Sequence, residues 1–194
     1  ETHAAIQWFV ELQTVHHVVP DAAAEASESS ESRFMNGRTA MYLDSRRGVP
    51  SYRQIRSFHW DVAPLPMGKQ SASVLHADGY CMARASKNKA AAWAFIEFAN
   101  SPAGQSIIAK TGRTVPSLRS VAESPAFLDP NTSPRSSSVF LSGADTIRAV
   151  PVIKTWPAIE EILDEELQRA FYGQSTLDQA LTTATQRSKP LFAP

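Results

Sequence analysis

The sequence predicts a helix-rich α/β fold in which a few short strands stand between helices. Apolar residues recur at helical spacing in several segments that begin and end at capping residues. Short apolar runs between turn-forming residues indicate buried strands. The composition supports a folded core, because 43% of the 194 residues are hydrophobic and 20% are charged.

Helical periodicity places the main helices. They are predicted at residues 3–17, 50–56, 88–100, 102–110, 140–147 and 156–172, with a last helix that Ser175 caps. The small, acidic stretch 22–32 fits either a surface helix or a loop. Ser101 followed by Pro102 is typical of a helix start, and Gly112 of a helix end. The carboxylates of residues 160–166 are predicted to form the solvated face of the long helix rather than a carboxylate site.

The strands are predicted from three apolar runs. These runs lie at residues 39–43, 58–65 and within 74–85. Gly37, just before the first run, is predicted to end a helix in the left-handed conformation. Trp8, Trp60 and Trp93 lie on apolar faces and are predicted to be core residues.

Charge and cysteine content exclude several classes of protein. Nineteen basic and nineteen acidic residues give zero net charge, so the chain has no field to hold a polyanion and nucleic acid is not an expected partner. The single cysteine, Cys81, excludes an internal disulfide, and its place in an apolar run predicts a buried, inert thiol. No apolar run approaches the roughly 20 residues that a membrane-spanning helix needs.

Nothing in the sequence predicts catalysis, a metal or a cofactor. Motifs of nucleotide-binding loops, zinc peptidases and serine hydrolases are missing from the sequence. His16 and His17 are adjacent, and adjacent helical side chains point about 100° apart, which disfavours a shared metal. We therefore predict a protein that is not an enzyme and has no cofactor.

The first candidate binding loop follows the run 39–43 and contains Asp44, Ser45, Arg46 and Arg47. The end of a strand is where ligand groups gather in open α/β sheets. A carboxylate accepts hydrogen bonds from hydroxyl groups and a guanidinium donates to ring or hydroxyl oxygens, so the combination suits vicinal hydroxyls. A surface loop with a local salt bridge is the simpler interpretation of the same residues.

Two further loops carry polar or aromatic groups beside turn residues. Asp78 and Tyr80 flank Gly79, whose missing side chain lets the backbone approach another group closely; a bulge without a ligand is the alternative. Trp156 lies at the start of the long helix, and an indole stacks well on the apolar face of a sugar ring, although a tryptophan is more often a core residue.

Together and in order, these segments resemble the C-terminal half of the extracellular solute-binding proteins of family 1, the maltose-binding-protein-like carbohydrate-binding components of bacterial ABC importers. The resemblance covers nearly all 194 residues. It is carried by FMNGRTAMYLDSRR, FHWDVAPLPMGKQ, SKNKAAAWAFIEFANSPAGQSIIAKTGRTVPSL, SPAFLDP and TWPAIEEILDEELQRAFYGQSTLDQAL. It implies a periplasmic-binding-protein-like fold, in which two α/β lobes close on a ligand.

The resemblance also implies a domain organisation. Residues 1–62 and 117–194 are expected to form the helix-rich C-terminal lobe, and residues 63–116 to cross into the N-terminal lobe. Most of the N-terminal lobe is expected to lie outside this sequence. We therefore expect the chain alone to bind ligand weakly or not at all and to self-associate through an exposed face, whereas the complete protein is expected to be a monomer.

The site that the resemblance implies contains the eight residues of the three loops. They are Asp44, Ser45, Arg46, Arg47, Asp78, Gly79, Tyr80 and Trp156. Where maltose binders carry an aromatic platform this chain has Arg46, Arg47 and Gly48, which disfavours a maltodextrin and favours a ligand with more polar or anionic groups. The expected ligand is a small carbohydrate, namely a sugar, an amino sugar or a sugar derivative.

The resemblance also implies a protein partner and a cellular location, and two alternative functions remain open. The closed form is expected to be recognised by the transmembrane subunits of an ABC permease, outside the cytoplasm, in the periplasm or on a cell-surface lipoprotein. A glycerophosphodiester or other phosphorylated polyol, clamped by Arg46 and Arg47, is the alternative ligand. A glycoside hydrolase using Asp44 and Asp78 is a further alternative, of another class.

Overall fold

A computed structural model describes residues 2–192, and helices dominate them. The α-helices of this range are α1 (Thr2–Thr14), α2 (Ala22–Ser27), α3 (Ser30–Met35), α4 (Val49–Tyr52), α5 (Lys89–Asn100), α6 (Pro102–Thr111), α7 (Arg119–Ala122), α8 (Val139–Ser142), α9 (Trp156–Phe171) and α10 (Leu177–Ser188). Single 3-10 turns occupy Arg46–Gly48, Ala144–Thr146 and Lys189–Phe192. Two short strands, β1 (Ser73–Val74) and β2 (Ile147–Arg148), pair in parallel, with Ser73 opposite Ile147.

The capping signals of the sequence are confirmed. Ser101 Oγ accepts a hydrogen bond from Gly104 N at 3.2 Å, and Pro102 is the first residue of α6. Gly37 and Gly112 end their helices in the left-handed region, with φ of +70° and +86°. The expected start of α10 is wrong by one residue, because Thr176 caps it. Thr176 has a glutamine three residues later and forms a reciprocal capping box with it, whereas Ser175 does not.

The strand predictions are wrong over most of their length. Residues 39–43 and 58–65 form no strand, and of the run 74–85 only its first residue does, within β1. Residues 140–147 divide between α8, a 3-10 turn and β2 instead of forming one helix. An apolar run becomes a strand only beside another strand, and the described residues supply none for the first two runs.

The described residues form two compact units, the first built from residues 2–33 and 150–192. Here α1 and α10 pack on α9 through a small apolar core. Its buried members are Val10, Ala170, Leu177 and Ala180, with Ile6, Leu167 and Leu181 packed around them. The ring of Phe9 stacks on that of Phe171 with centroids 5.2 Å apart.

A buried carboxylate ties α9 to α10 and corrects one prediction. Glu166, expected on the solvated face, is only 3% exposed. Arg169 Nη1 donates to its Oε2 at 3.1 Å and Arg187 Nη1 to its Oε1 at 2.8 Å. Arg187 also pairs with Glu165 at 2.7 Å. The burial is tolerated because both carboxylate oxygens receive charge-assisted hydrogen bonds.

We predict that Glu166→Gln destabilises the protein by about 1–2 kcal/mol, because an amide cannot accept at both positions from two guanidinium groups. The lower end is expected since both arginines are partly hydrated. Thermal unfolding followed by circular dichroism measures the effect, at about 2–4 °C per kcal/mol for a chain of this size. Glu161→Gln on the exposed side of α9 is the control and should not move the midpoint; equal midpoints for both variants would refute the buried ion pair.

The second unit comprises residues 34–149 and contains two side-chain clusters. The aliphatic cluster buries Ala109, Val121 and Phe127, with Leu118, Ala126, Leu128, Phe140 and Leu141 around it. The aromatic cluster consists of Phe34, Tyr42, Tyr52, Phe58 and Trp60, which meet mainly edge to face. The aromatic cluster has members before and after the candidate loop 44–47 in sequence, and the aliphatic cluster comes from residues further along the chain.

Several residues predicted to be buried are exposed. Trp8 is 53% and Trp93 54% exposed, and Cys81 is also exposed, so the core predictions for these residues are wrong. On α5 the inward face is buried only at Ala99, while Phe95 and Phe98 remain exposed. An apolar stripe fixes which face of a helix can be buried, but burial needs a second element against it. The lobe boundaries stay a prediction.

Residues 133–140, which we term the anchored segment, are held by three side chains from residues 46–61. Arg53 Nε donates to Ser133 O at 2.7 Å. Ser136 donates to both carboxylate oxygens of Asp61, from its backbone N at 2.9 Å and from its Oγ at 2.8 Å. Arg46 Nη1 contacts Ser137 Oγ at 3.4 Å. A segment without regular secondary structure over most of its length is thereby fixed by side chains.

The hydrogen bonds of Asp61 should make the stability of the anchored segment depend on pH. Partial burial raises the pKa of Asp61, but hydrogen bonds from Ser136 and Val62 outweigh it and hold the pKa below its usual value. The folded pKa therefore lies under the unfolded one, about 3.9, so the stabilisation is complete above that pH and is lost as the pH falls through the folded pKa. Asp61→Asn should lower the unfolding midpoint at pH 7 and reduce its fall between about pH 5 and 2.

The matched control for Asp61→Asn is Asp145→Asn, an exposed carboxylate in the same unit. Midpoints measured at half-unit pH steps should coincide with wild type for this control. A parallel acid profile for Asp61→Asn and wild type would contradict the assigned role.

Candidate functional site

In the loop that follows residues 39–43, the side chains of two consecutive arginines point in opposite directions. Ser45 caps the 3-10 turn Arg46–Gly48, and its Oγ accepts a hydrogen bond from Arg47 N at 3.3 Å. Arg46 is 6% exposed, whereas Arg47 is exposed. Of the two guanidinium groups predicted at this site, one lies in the protein interior and one faces solvent.

The guanidinium of Arg46 lies between two phenyl rings. Its Cζ is 4.1 Å from the ring centroid of Phe127 and 4.8 Å from that of Phe140. Within residues 2–192, Ser137 Oγ is its hydrogen-bond partner, and Nε and Nη2 are buried with none. Burial, aided by the positive charge of Arg53, lowers the pKa of Arg46 to about 10. Arg46 thus stays protonated at neutral pH, and the rings supply the attraction that an anion would otherwise provide.

Asp44 is held at the surface by a buried tyrosine. Tyr52 Oη donates a hydrogen bond to Asp44 Oδ2. Tyr52 is 5% exposed, and its ring meets those of Phe34 and Trp60 edge to face, with centroids 5.6 and 5.8 Å away. Because the tyrosine is fixed by its neighbours, the carboxylate is fixed with it, while Asp44 itself remains exposed.

Gly48 makes the contact between Asp44 and Tyr52 possible. A Cβ atom at this position would lie 2.2 Å from Asp44 Oδ2 and 2.3 Å from Tyr52 Oη. The backbone of Gly48 has φ of −76°, which any residue adopts, so the constraint is space and not conformation. Sequence reasoning did not predict the steric role of Gly48 or the contact of Tyr52 with Asp44. The only signal was their spacing of four and eight residues from Asp44.

The second predicted loop is exposed and has no regular secondary structure. Asp78, Gly79 and Tyr80 all lie at the surface, and a Cβ atom on Gly79 would meet nothing within 4 Å. The expected close approach to the Gly79 backbone is thus not made by any described residue. The Tyr80 ring contacts Phe95 edge to face at 5.8 Å, which leaves it 45% exposed.

Trp156 belongs to the first unit, where it is the first residue of α9. Its side chain is half-buried, and its indole Nε1 is buried without a hydrogen-bond partner among the described residues. The preceding Thr155 donates its hydroxyl to Leu191 O at 2.7 Å, which fixes the start of the helix. The loop 44–47 therefore presents Asp44, Ser45 and Arg47 at the surface and buries Arg46, whereas the other predicted residues lie on separate segments.

Two classes of feature are missing from the described range. Among residues 2–192 no three His, Cys, Asp or Glu side chains are grouped closely enough to hold a metal ion. The helices of this range are also too short or too polar to cross a membrane.

We predict that Gly48→Ala separates Asp44 from Tyr52 and lowers the free energy of unfolding by about 1–3 kcal/mol, because the added methyl group overpacks the contact. Thermal unfolding and the tyrosine signal in near-UV circular dichroism measure the change. Gly79→Ala in the open second loop is the matched control and should stay within about 0.5 kcal/mol of wild type. A Gly48→Ala protein with the wild-type midpoint and tyrosine spectrum would show that the space is not required.

The chain is similar in fold to solved ABC substrate-binding proteins. The ABC substrate-binding protein Lmo0181 from Listeria monocytogenes, solved in complex with cycloalternan, matches 97% of this chain and 49% of its own, with a TM-score of 0.86 and 23% identity. UspC from M. tuberculosis matches 94% of this chain and 46% of its own, with a TM-score of 0.66 and 23% identity. The chain thus spans about half the length of these structures, and the predicted periplasmic-binding-protein-like fold is confirmed for that part.

A comparison with curated proteins gave no significant match. A comparison with protein-family models did give one, and it agrees with the fold. The model described as "Bacterial extracellular solute-binding protein" matches residues 1–132, which is more than half of the chain. The resemblance noted in the sequence is confirmed, and this chain belongs to the family of bacterial extracellular solute-binding proteins.

Proposed function

We propose that this chain is part of the substrate-binding component of an ABC importer and that the solute is a carbohydrate. Membership of the solute-binding family supports the general role. The carbohydrate class is supported by the cycloalternan complex of Lmo0181, whose fold this chain shares. Loop chemistry on this chain supports it independently.

The proposal of a sugar rests mainly on the burial of Arg46 and the exposure of Arg47. The loop offers the solvent one carboxylate, on Asp44, and one guanidinium, on Arg47. A neutral polyol fits this pair, because its hydroxyls donate to the carboxylate and accept from the guanidinium. A phosphate clamp built from both arginines would need Arg46, whose guanidinium is enclosed by Phe127 and Phe140. The observation therefore favours a sugar over a glycerophosphodiester.

The remaining predicted residues take supporting parts in this proposal. Ser45 Oγ accepts from Arg47 N and keeps its own proton for a ligand oxygen. Tyr80 offers an exposed aromatic edge and Asp78 a second carboxylate. Trp156 lies in the first unit, and its contact with a sugar stays a prediction from the sequence. Aromatic faces and charged hydrogen-bonding groups are the two elements that sugar recognition requires.

We propose that two lobes close on the solute, as the resemblance implies, without making or breaking a covalent bond. Closure removes the hydrogen bonds of Asp44 and Arg47 from water and strengthens them. The solute shifts the equilibrium only as far as its affinity for the closed form exceeds that for the open form. The closed form then meets the permease subunits outside the cytoplasm, in the periplasm or on a cell-surface lipoprotein.

The experiment is calorimetric titration of the two-lobed protein with a panel of cycloalternan, maltotriose, glucosamine and glycerophosphocholine. We expect a sugar of the panel to bind and glycerophosphocholine to give no heat. Asp44→Asn and Arg47→Met should each weaken sugar binding about ten-fold, the loss of one charged hydrogen bond. Arg56→Met, an exposed arginine outside the loop, is the control and should bind as wild type. Binding of glycerophosphocholine alone would overturn the carbohydrate proposal.

A further inference from the structure

We propose that Arg46 is a positioning residue: its guanidinium, held between Phe127 and Phe140, fixes the turn on which Asp44 and Arg47 meet the ligand. The inference rests on the proposed function, since it concerns the same loop. It assigns Arg46 a role different from the direct ligand contact that the resemblance implied.

The first step is that Arg46 is an expensive residue to bury at this position. It is 6% exposed, and within residues 2–192 no carboxylate forms an ion pair with it. Its contact with Ser137 Oγ is long, at 3.4 Å, and Ser137 Oγ itself donates to Pro134 O at 2.8 Å. An aliphatic side chain would fill the space between two phenyl rings without desolvating a charge. Stability alone therefore gives no reason for an arginine here.

The second step is what an arginine provides that an aliphatic chain does not. The guanidinium is flat and rigid, so two rings in contact with it restrict its orientation as well as its position. A methionine in the same space keeps several rotamers of similar energy. The arginine therefore fixes one orientation of the 3-10 turn Arg46–Gly48 from the buried side of the turn.

The third step is that the orientation of this turn sets the positions of both exposed charged groups, Asp44 and Arg47. Arg47 follows Arg46 in the turn, and its N–H is bound by Ser45 Oγ. Asp44 precedes the turn and is tied to Tyr52, a contact for which Gly48 leaves the space. The loop is thus held at both ends, and rotating the turn would displace the Arg47 guanidinium relative to the Asp44 carboxylate.

The last step is that the support under Arg46 is itself fixed. Phe127 belongs to the aliphatic cluster of the second unit, and Phe140 packs against that cluster. Ser137 lies in the anchored segment, which Arg53 and Asp61 hold independently of Arg46. The rings are therefore held by contacts other than those with Arg46, as a positioning role requires.

The test is a double-mutant cycle on the two-lobed protein, titrated with the panel sugar that binds wild type most tightly. The variants are wild type, Arg46→Met, Arg47→Met and the double variant, with Arg56→Met as the neutral control. We expect Arg46→Met to weaken binding about ten-fold in wild type but only about two-fold when Arg47 is already absent, because residues acting through each other are not additive. General destabilisation would weaken binding equally in both backgrounds.

Two further variants keep the test informative if Arg46→Met folds poorly. Phe140→Leu retains the arginine but removes one ring, and it should reproduce part of the affinity loss. Arg46→Lys should not rescue binding, because an ammonium cannot stack as a plate between two rings. Hydrogen–deuterium exchange, which needs no ligand, should show faster exchange of the Arg47 amide in Arg46→Met and unchanged exchange in Arg56→Met.

The outcomes separate the inference from the proposed function. If no panel sugar binds wild type, the carbohydrate proposal fails, and slower or unchanged exchange at Arg47 would then overturn the positioning role as well. If a sugar binds and the effects of Arg46→Met and Arg47→Met are additive, the positioning role is overturned while the proposed function stands. Rescue of binding by Arg46→Lys would likewise overturn it, since charge alone would then suffice.

Discussion

The guanidinium of Arg46 is buried inside the second unit between Phe127 and Phe140, and neighbouring segments of the same unit pack around it. A buried cation with no anionic partner among the described residues loses its hydration, so aromatic faces and hydrogen-bond acceptors are required to offset part of that cost. The anchored segment meets this requirement: it brings Ser137 and Phe140 to the guanidinium and is itself secured through Ser133 and Ser136. The exposed loop above inherits its shape from this internal contact.

The features that the sequence predicted well are those decided within one turn of helix. Ser101 and Pro102 start α6 and Gly112 ends it, because an oxygen acceptor, a fixed φ and a left-handed backbone act on their immediate neighbours. The strand predictions failed for the opposite reason. Met41 is 86% exposed in a run that reads as buried, because burial and pairing depend on chain segments distant in sequence.

The candidate site was predictable only as a stretch of chain. Arg46 and Arg47 are chemically identical in the sequence, and nothing local indicates that one points inward; the direction is set by rings 81 and 94 residues further along the chain from Arg46, at Phe127 and Phe140. Glu166 illustrates the same limit. It lies among exposed carboxylates of α9, yet the approach of Arg187 from α10 makes its burial possible. Side-chain type and helical spacing cannot report a partner that only tertiary packing supplies.

Charge balance links the loop to the kind of solute it would admit. In the proposed closure Asp44 and Arg47 would leave water together, and the opposite charges of these two exposed groups would offset each other. A neutral polyol adds hydrogen bonds to both groups without adding charge. A phosphodiester would gain from Arg47 but would also face Asp44, whose carboxylate Tyr52 holds in place and thereby keeps from turning away. With Arg46 enclosed by its rings, the second positive charge that would offset this repulsion is not available, so in the proposed site the contact that shapes the loop would also disfavour an anionic ligand.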